Sequence, residues 1–388
     1  MINFKNTEIA FGSKTNGQLR KAYFLFSLMN KAWLVNTGSN IGLWAMRVGL
    51  PIAPIVRYTM FEQFCGGTSL ADCQSTVEHL DKYRALTVLD YGAEAKEVEA
   101  DYDFTMAEQM RAIELAAKNT GKIPVITCKF TALASFSTLE KLQKGEPLDA
   151  TETANFVNAK NRLQAICQYA FDRKVAVFID AEESWIQHPI DAIAEAMMAQ
   201  FNTSRVTVYN TYQLYLQSRL PYLHESFERA QKGGYMLGAK LVRGAYMQKE
   251  RKRADEMGYA SPVQPDKAAT DRDYDAALAF CVQRYQKIGS CAATHNEKST
   301  ALQVALMEKN TIPNGHAHLN FCQLYGMSDH LTFNLANAGY NAAKYLVYGE
   351  VSDVFPYLVR RAQENSSITG DMSRELSFLT AEVKRRGL

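Results

Sequence analysis

The sequence predicts an α/β protein built as a (βα)8 TIM-type barrel. Two observations carry this reading. Eight short apolar runs alternate with longer helix-patterned stretches, and no internal repeat or low-complexity linker interrupts the series. Strands buried on both faces read as near-continuous apolar segments, and strands parted by helices pair in parallel. Eight such units in one series favour closure into a barrel over an open, doubly wound sheet.

The chain divides into an N-terminal helical segment, residues 1–80, and a barrel, residues 81–388. Residues 23–60 are rich in Phe, Leu, Trp and Met between isolated lysines and arginines. Such a segment suits a helical cap on the main domain or an amphipathic surface that touches lipid. The strands are expected at Leu86–Tyr91, Pro124–Phe130, Val175–Asp180, Val206–Asn210, Leu237–Arg243, Ser290–Thr294, Ala317–Gln323 and Ala343–Tyr348. Between them, helices are expected at Asp103–Lys118, Asn158–Phe171, Ile190–Phe201, Tyr212–Lys232, Asp273–Lys287 and Ser299–Lys309. The long stretch from Thr131 to Lys174 must hold an extra helical insertion. A last helical stretch, packed by Val354, Phe355, Leu358 and Val359, carries the adjacent pair Arg360 and Arg361.

Composition narrows the class. The chain is 47% hydrophobic and 22% charged, with a net charge of +2, too small to argue for nucleic acid as partner. Seven cysteines are scattered without a Cys-x-x-Cys pair, which reads as a reducing compartment with no disulfide framework or zinc site. Residues 1–22 lack the apolar core of a signal peptide, and no run reaches the roughly 18 apolar residues that span a bilayer.

Catalytic groups of a barrel stand at the C-terminal ends of its strands. Lys129 lies inside the apolar strand Val125-Ile126-Thr127-Cys128-Lys129-Phe130, where a charge needs a partner or a ligand. Lys240 occupies the same kind of position. Together with Arg360 and Arg361, whose guanidinium forks match a carboxylate, they describe a pocket for an anion. No phosphate-binding glycine fingerprint is present. Two other chemistries remain open on these residues. Lys129 can form a Schiff base in an aldolase-type lyase, with Asp180 as proton relay. His316-x-His318 can ligate a metal in a barrel hydrolase, though it opens the seventh strand, away from the catalytic end.

Five motifs in order identify a family. Ile179-Asp180-Ala181-Glu182-Glu183, Leu241-Val242-Arg243-Gly244-Ala245-Tyr246, Lys267-Ala268-Ala269-Thr270-Asp271, Ala293-Thr294-His295-Asn296 and Tyr357 to Asn365 together resemble proline dehydrogenase, the FAD enzyme of proline catabolism. Gln323-Leu324-Tyr325-Gly326-Met327 fits the same resemblance, which runs from about Asp90 to Asn365. It is nearer the monofunctional, eukaryote-like branch, since 388 residues leave no room for an aldehyde dehydrogenase domain.

The resemblance implies oxidation of L-proline to Δ1-pyrroline-5-carboxylate with FAD, electrons passing to a quinone, and no metal. It implies that Arg360, Arg361 and Lys129 hold the proline carboxylate. Leu241, Tyr246, Tyr345 and Tyr357 would enclose the ring, with Tyr345 disfavouring 4-hydroxyproline. Asp180 and Lys240 are the further catalytic candidates. Ala181, Asn210, Lys240, Arg243, Gly244, Ala245, Lys267, Thr294, His295 and Asn296 would contact FAD, and Glu94 would gate the site through Arg360. Asn210 and Lys240 depart from the bacterial pattern, which has glutamine and arginine there. A closing C-terminal helix, a peripheral membrane contact, and a cytoplasmic or, in a eukaryote, mitochondrial matrix location complete what the resemblance implies.

Overall fold

The structure, a computed structural model, describes residues 2–48, 50–92, 98–367 and 371–388. The chain opens with helices α1 (Thr7–Phe11), α2 (Asn16–Met29), α3 (Ala32–Arg47), α4 (Ala53–Val56) and α5 (Glu62–Phe64). Strand β1 (Cys65–Gly67), helix α6 (Leu70–Lys82), strand β2 (Leu86–Tyr91) and helix α7 (Glu99–Lys118) follow. Then come β3 (Val125–Lys129), α8 (Phe136–Lys144), α9 (Ala150–Asp172), β4 (Ala176–Asp180), α10 (Ser184–Phe201), β5 (Val208–Gln213) and α11 (Arg219–Gly233). The series continues with β6 (Leu237–Val242), α12 (Met247–Met257), α13 (Lys267–Gln283), β7 (Ile288–Ala293) and α14 (Glu297–Lys309). It ends with β8 (Leu319–Leu324), α15 (Asp329–Asn337), β9 (Asn341–Tyr348), α16 (Val351–Ser367) and α17 (Asp371–Arg385).

All eight expected strands form, as β2 to β9. Their order is β1-β9-β2-β3-β4-β5-β6-β7-β8, with β9 also pairing β8, which is a closed parallel barrel of eight strands. The insertion expected between residues 131 and 174 is the pair α8 and α9. One strand was not foreseen. Cys65-Gly66-Gly67 has no apolar pattern, yet it pairs in parallel with β9 as a ninth, edge strand. A second difference concerns β5, which runs on to Gln213, where a helix start was expected. Tyr212 is fully buried and the Gln213 amide donates to the Glu182 carbonyl at 2.5 Å, so both residues stay with the sheet and α11 waits until Arg219.

Compactness groups the chain as Met1–Glu94 with Gln323–Leu388, and separately Ala95–Cys322. The first group joins the two ends of the chain through buried charges. Asp329, at the start of α15, accepts from Lys344 of β9 at 2.8 Å and from Lys14, between α1 and α2, at 3.1 Å. Lys344 is almost wholly buried and also donates to the Met327 carbonyl at 2.5 Å. Burial alone would raise the Asp329 carboxyl, but the two ammonium groups outweigh it and hold the group down at about 2. Beside it, Glu375 of α17 accepts from the Ser328 amide at 2.7 Å. The arginine-bearing helix is therefore not the last; α17 follows it and packs on α1 and α2.

Removing one member of a buried ion cluster strands the others. Asp329→Asn, which leaves the buried Lys344 and half-buried Lys14 ammonium groups short of a counter-charge, is expected to cost about 3–5 kcal/mol. Urea unfolding checks this, and a loss below about 1 kcal/mol contradicts it. Because the folded carboxyl lies below its ordinary value of 3.8, its contribution is present above that pH and lost as pH falls towards 2. The variant must lack that acid limb.

Candidate active site

Adjacent parallel strands place register partners on the same face. Lys129 of β3 is in register with Asp180 of β4, and Lys240 of β6 with Thr211 of β5 and Cys291 of β7. Lys129, Asp180 and Lys240 thus share one face near the strands' C-terminal ends. Lys240, 5% exposed, donates to Asp180 at 2.5 Å and lies 5.3 Å from the centre of the Phe178 ring. Burial pulls the Lys240 ammonium down, but the Asp180 carboxylate outweighs it and leaves Lys240 above the ordinary lysine value. That pair is neutral overall. Lys129 is different: it is half-buried and, among the described residues, its side chain makes no hydrogen bond or ion pair. It remains the uncompensated cation of the row.

Its field reaches Glu182, a carboxylate that the sequence offered only as a member of a recognised motif. Glu182 is 7% exposed and accepts from the Thr131 hydroxyl at 2.8 Å. Burial pushes it up to about 7, although Lys129 and Thr131 oppose the shift.

The β6 end builds a second cluster. Arg243 donates to Asp271 at 2.7 Å, to the Thr294 hydroxyl at 2.7 Å and to the Ser299 hydroxyl at 2.9 Å, and sits 4.2 Å from the Tyr274 ring centre. Asp271 lies in the second turn of α13 and Ser299 in the first turn of α14, so one guanidinium ties the N-terminal ends of two helices together. Asn296 caps α14 by accepting from the Lys298 and Ser299 amides, with half-buried His295 just before it. Lys267 opens α13, is exposed and pairs with Asp271 at 2.7 Å. Gly244 has φ +125°, and a Cβ there would lie 1.8 Å from a Tyr215 ring carbon, so no other residue fits. Gly244 and Ala245 are exposed, while Tyr246 packs against Tyr215, Leu216 and Val263. A positive side chain among helix N-termini, with a small-residue loop beside it, suits the anionic linkage of a dinucleotide. The residues present therefore fit FAD.

Asn210 is placed apart from these. Thr211 shares the face of Lys240, so alternation turns Asn210 the other way. Its amide donates to Asp191 at 2.9 Å, in a buried network that Arg219 completes with two bonds to the same carboxylate. Leu241, one residue beyond Lys240, is buried, and Ala181 is half-buried.

In the other group, Tyr345 is 8% exposed and its carbonyl accepts from the Tyr325 amide at 2.9 Å. On α16, Arg361 is buried, 5.1 Å from the Tyr357 ring centre one turn earlier, and pairs with Glu364 at 2.5 Å. The buried Tyr357 hydroxyl has no hydrogen-bond partner among the described residues, which leaves a donor to offer. Arg360 is half-buried. Glu94 lies outside the described residues.

Comparison with known proteins decides the family. The family model described as Proline dehydrogenase matches residues 73–374, most of the chain. The chain belongs to the proline dehydrogenase family. Proline dehydrogenase 1, mitochondrial, of Dictyostelium discoideum is 30% identical over 98% of this chain and 74% of its own length. Hydroxyproline dehydrogenase of Xenopus laevis is 32% identical over 84% of this chain and 78% of its own. In a solved structure of proline utilization A from Bdellovibrio bacteriovorus, the same fold recurs with TM-score 0.72 at 22% identity. It covers 95% of this chain, which spans only 40% of that longer one. Membership makes the protein an oxidoreductase acting on proline, and the lyase and hydrolase readings fall away. His318 is instead bonded to the Tyr285 carbonyl at 2.7 Å, and His316 accepts from the His318 amide at 3.1 Å.

Two outcomes are expected at this site. Gly244→Ala should displace the β6 loop and lower retention of flavin through gel filtration; undiminished flavin content would show that the loop tolerates a side chain. Above about pH 7, ionised Glu182 should compete for Lys129 and raise the KM for proline. Glu182→Gln should flatten that rise, and an unchanged KM–pH profile would rule out the coupling. The raised carboxyl also makes the native state hold a proton that the unfolded chain releases above 4.5, so this part of stability falls as pH climbs to about 7.

Proposed function

We propose that the protein oxidises L-proline to Δ1-pyrroline-5-carboxylate with FAD and hands the electrons to a quinone. The family match across residues 73–374 carries the reading, because that span contains every residue given a role here. Proline is a zwitterion, so its site needs cations for the carboxylate and an apolar enclosure for the methylenes. We assign the carboxylate to Lys129, Arg360 and Arg361, and the ring to Leu241, Tyr246, Tyr345 and Tyr357. Lys129 suits this role because its ammonium is uncommitted. Bound FAD would supply the two-electron acceptor for the ring C–H beside nitrogen, while the chain's own part is positioning.

Residues proposed to hold FAD are Ala181, Lys240, Arg243, Gly244, Ala245, Lys267, Thr294, His295 and Asn296. Asp180 keeps Lys240 charged but neutralised, a weaker cation than an unpaired arginine would be. Several relatives carry mitochondrial names, and no helix among the described residues is long and apolar enough to cross a membrane. We therefore infer a location in the mitochondrial matrix in a eukaryotic source, or the cytoplasm in a bacterial one.

The visible spectrum tests the proposal. The purified holoprotein should show a flavin band that L-proline bleaches without oxygen. A protein that takes up FAD yet is not bleached by proline would overturn it. Hydroxyproline dehydrogenases among the relatives make the second substrate informative. With Tyr345 in place, 4-hydroxyproline should reduce the flavin at least about tenfold less efficiently, and Tyr345→Ser should narrow that ratio. Preference for 4-hydroxyproline in the unaltered protein would reverse the substrate assignment.

A further inference from the structure

Helix α12 directly follows the loop 244–246 and packs with almost no apolar surface, its buried residues being Glu250 and Ala254. Glu250 is wholly buried in the first turn, and its carboxylate accepts three hydrogen bonds from outside the helix. The Ser184 amide donates at 2.7 Å, the Ser184 hydroxyl at 2.6 Å and the Tyr215 hydroxyl at 3.3 Å. Ser184 is the first residue of α10, and Glu183 before it gives that helix no side-chain cap. The first amides of a helix lack partners within it, so α10 takes its cap from another helix. Residues beside Glu250 extend the tie. Lys249 pairs with Glu183, and the Arg253 guanidinium lies 4.5 Å from the Trp185 ring centre. Three residues of α12 thus hold the consecutive residues 183–185.

Capping alone needs only a serine or aspartate at position 183, whereas a carboxylate brought in from a distant helix costs desolvation. What the distant cap adds is a fixed relation between segments. Ser184 closes the loop 181–183, which follows β4. Tyr215 follows β5, and its amide donates to the Arg243 carbonyl at 2.8 Å. The Tyr215 ring fills the space a side chain at Gly244 would need, and Tyr246 packs against it. One carboxylate therefore joins the loop after β4 to the loop after β6, with Tyr215 between them. We infer that Glu250 is a positioning residue that sets these two loops at the spacing one flavin requires. It acts through Ser184 and Tyr215. The inference rests on the assignment of FAD to Ala181, Arg243, Gly244 and Ala245 made above.

Release of FAD from the holoprotein, followed as the rise in flavin fluorescence after dilution, separates positioning from stability. Glu250→Ala should release FAD at least about tenfold faster, because the Ser184 amide and two hydroxyls lose their acceptor. Glu250→Gln should bring release back to within about threefold of the unaltered protein. Its carbonyl still accepts from the Ser184 amide, and its own amide donates to the Ser184 hydroxyl, which then acts as acceptor. Glu195→Ala is the control: it removes a carboxylate that accepts from Tyr222, Ser226 and Arg229, between α10 and α11. That variant should lower the melting temperature and leave FAD release unchanged. Should Glu250→Ala not fold, Ser184→Ala decides, with release about threefold faster expected. Unchanged release in the deciding variant, or equal acceleration by Glu195→Ala, would overturn the inference and leave the FAD assignment intact. An unaltered protein that takes up no FAD would overturn both.

Discussion

An ammonium group in the interior of a strand barrel is tolerable only where another charge answers it. Lys240 has its answer in Asp180, 2.5 Å away, and the two together leave their surroundings neutral. Lys129 stands in register with that same aspartate and, among the described residues, makes no ion pair of its own. Two lysines and one aspartate in a row leave one positive charge over. In the proposed site, that residual charge, half-buried where desolvation is costly, is the demand that an anionic substrate would satisfy. On the same proposal Asp180 acts on substrate binding indirectly, by taking one lysine out of competition and leaving the other.

A second set of buried charges does structural work. Asp329 lies between Lys14 and Lys344, and Glu375 bonds the amide beside it, so residues from both ends of the chain converge on the start of α15. Such a cluster adds little net energy compared with apolar packing, but it is strongly destabilised by losing one member. It fixes α17 and the N-terminal helices to the strand that carries Tyr345.

The eight barrel strands were legible because strands buried on both faces leave near-continuous apolar runs. Their boundaries were less so. Tyr212 and Gln213 read as the start of a helix, and only their contacts, a buried ring and an amide bonded to the Glu182 carbonyl, assign them to β5. The strand Cys65–Gly67 has no apolar signature at all; its parallel pairing with Val347 and Tyr348, the last residues of β9, is what makes it a strand. Lys129 and Lys240 were visible as charges inside apolar strands. Their different states were not, since pairing with Asp180 joins residues 60 positions apart. The bond from Asn210 to Asp191 was not legible either: alternation has period two, and a single step turns a side chain from one face to the other. The link between Arg243, Asp271 and Ser299 also joins distant positions, though Asp271 was already present within a recognised motif.

The central claim is that the unpaired Lys129 ammonium holds the substrate carboxylate. Prolinamide keeps the ring and the nitrogen but lacks that charge. Comparing the dissociation constants of L-proline and prolinamide for the holoprotein and for Lys129→Met measures the claim directly. In the unaltered protein proline should bind more tightly than prolinamide, and the substitution should remove about 1.5–3 kcal/mol of that preference. An equal preference in the two proteins would contradict it.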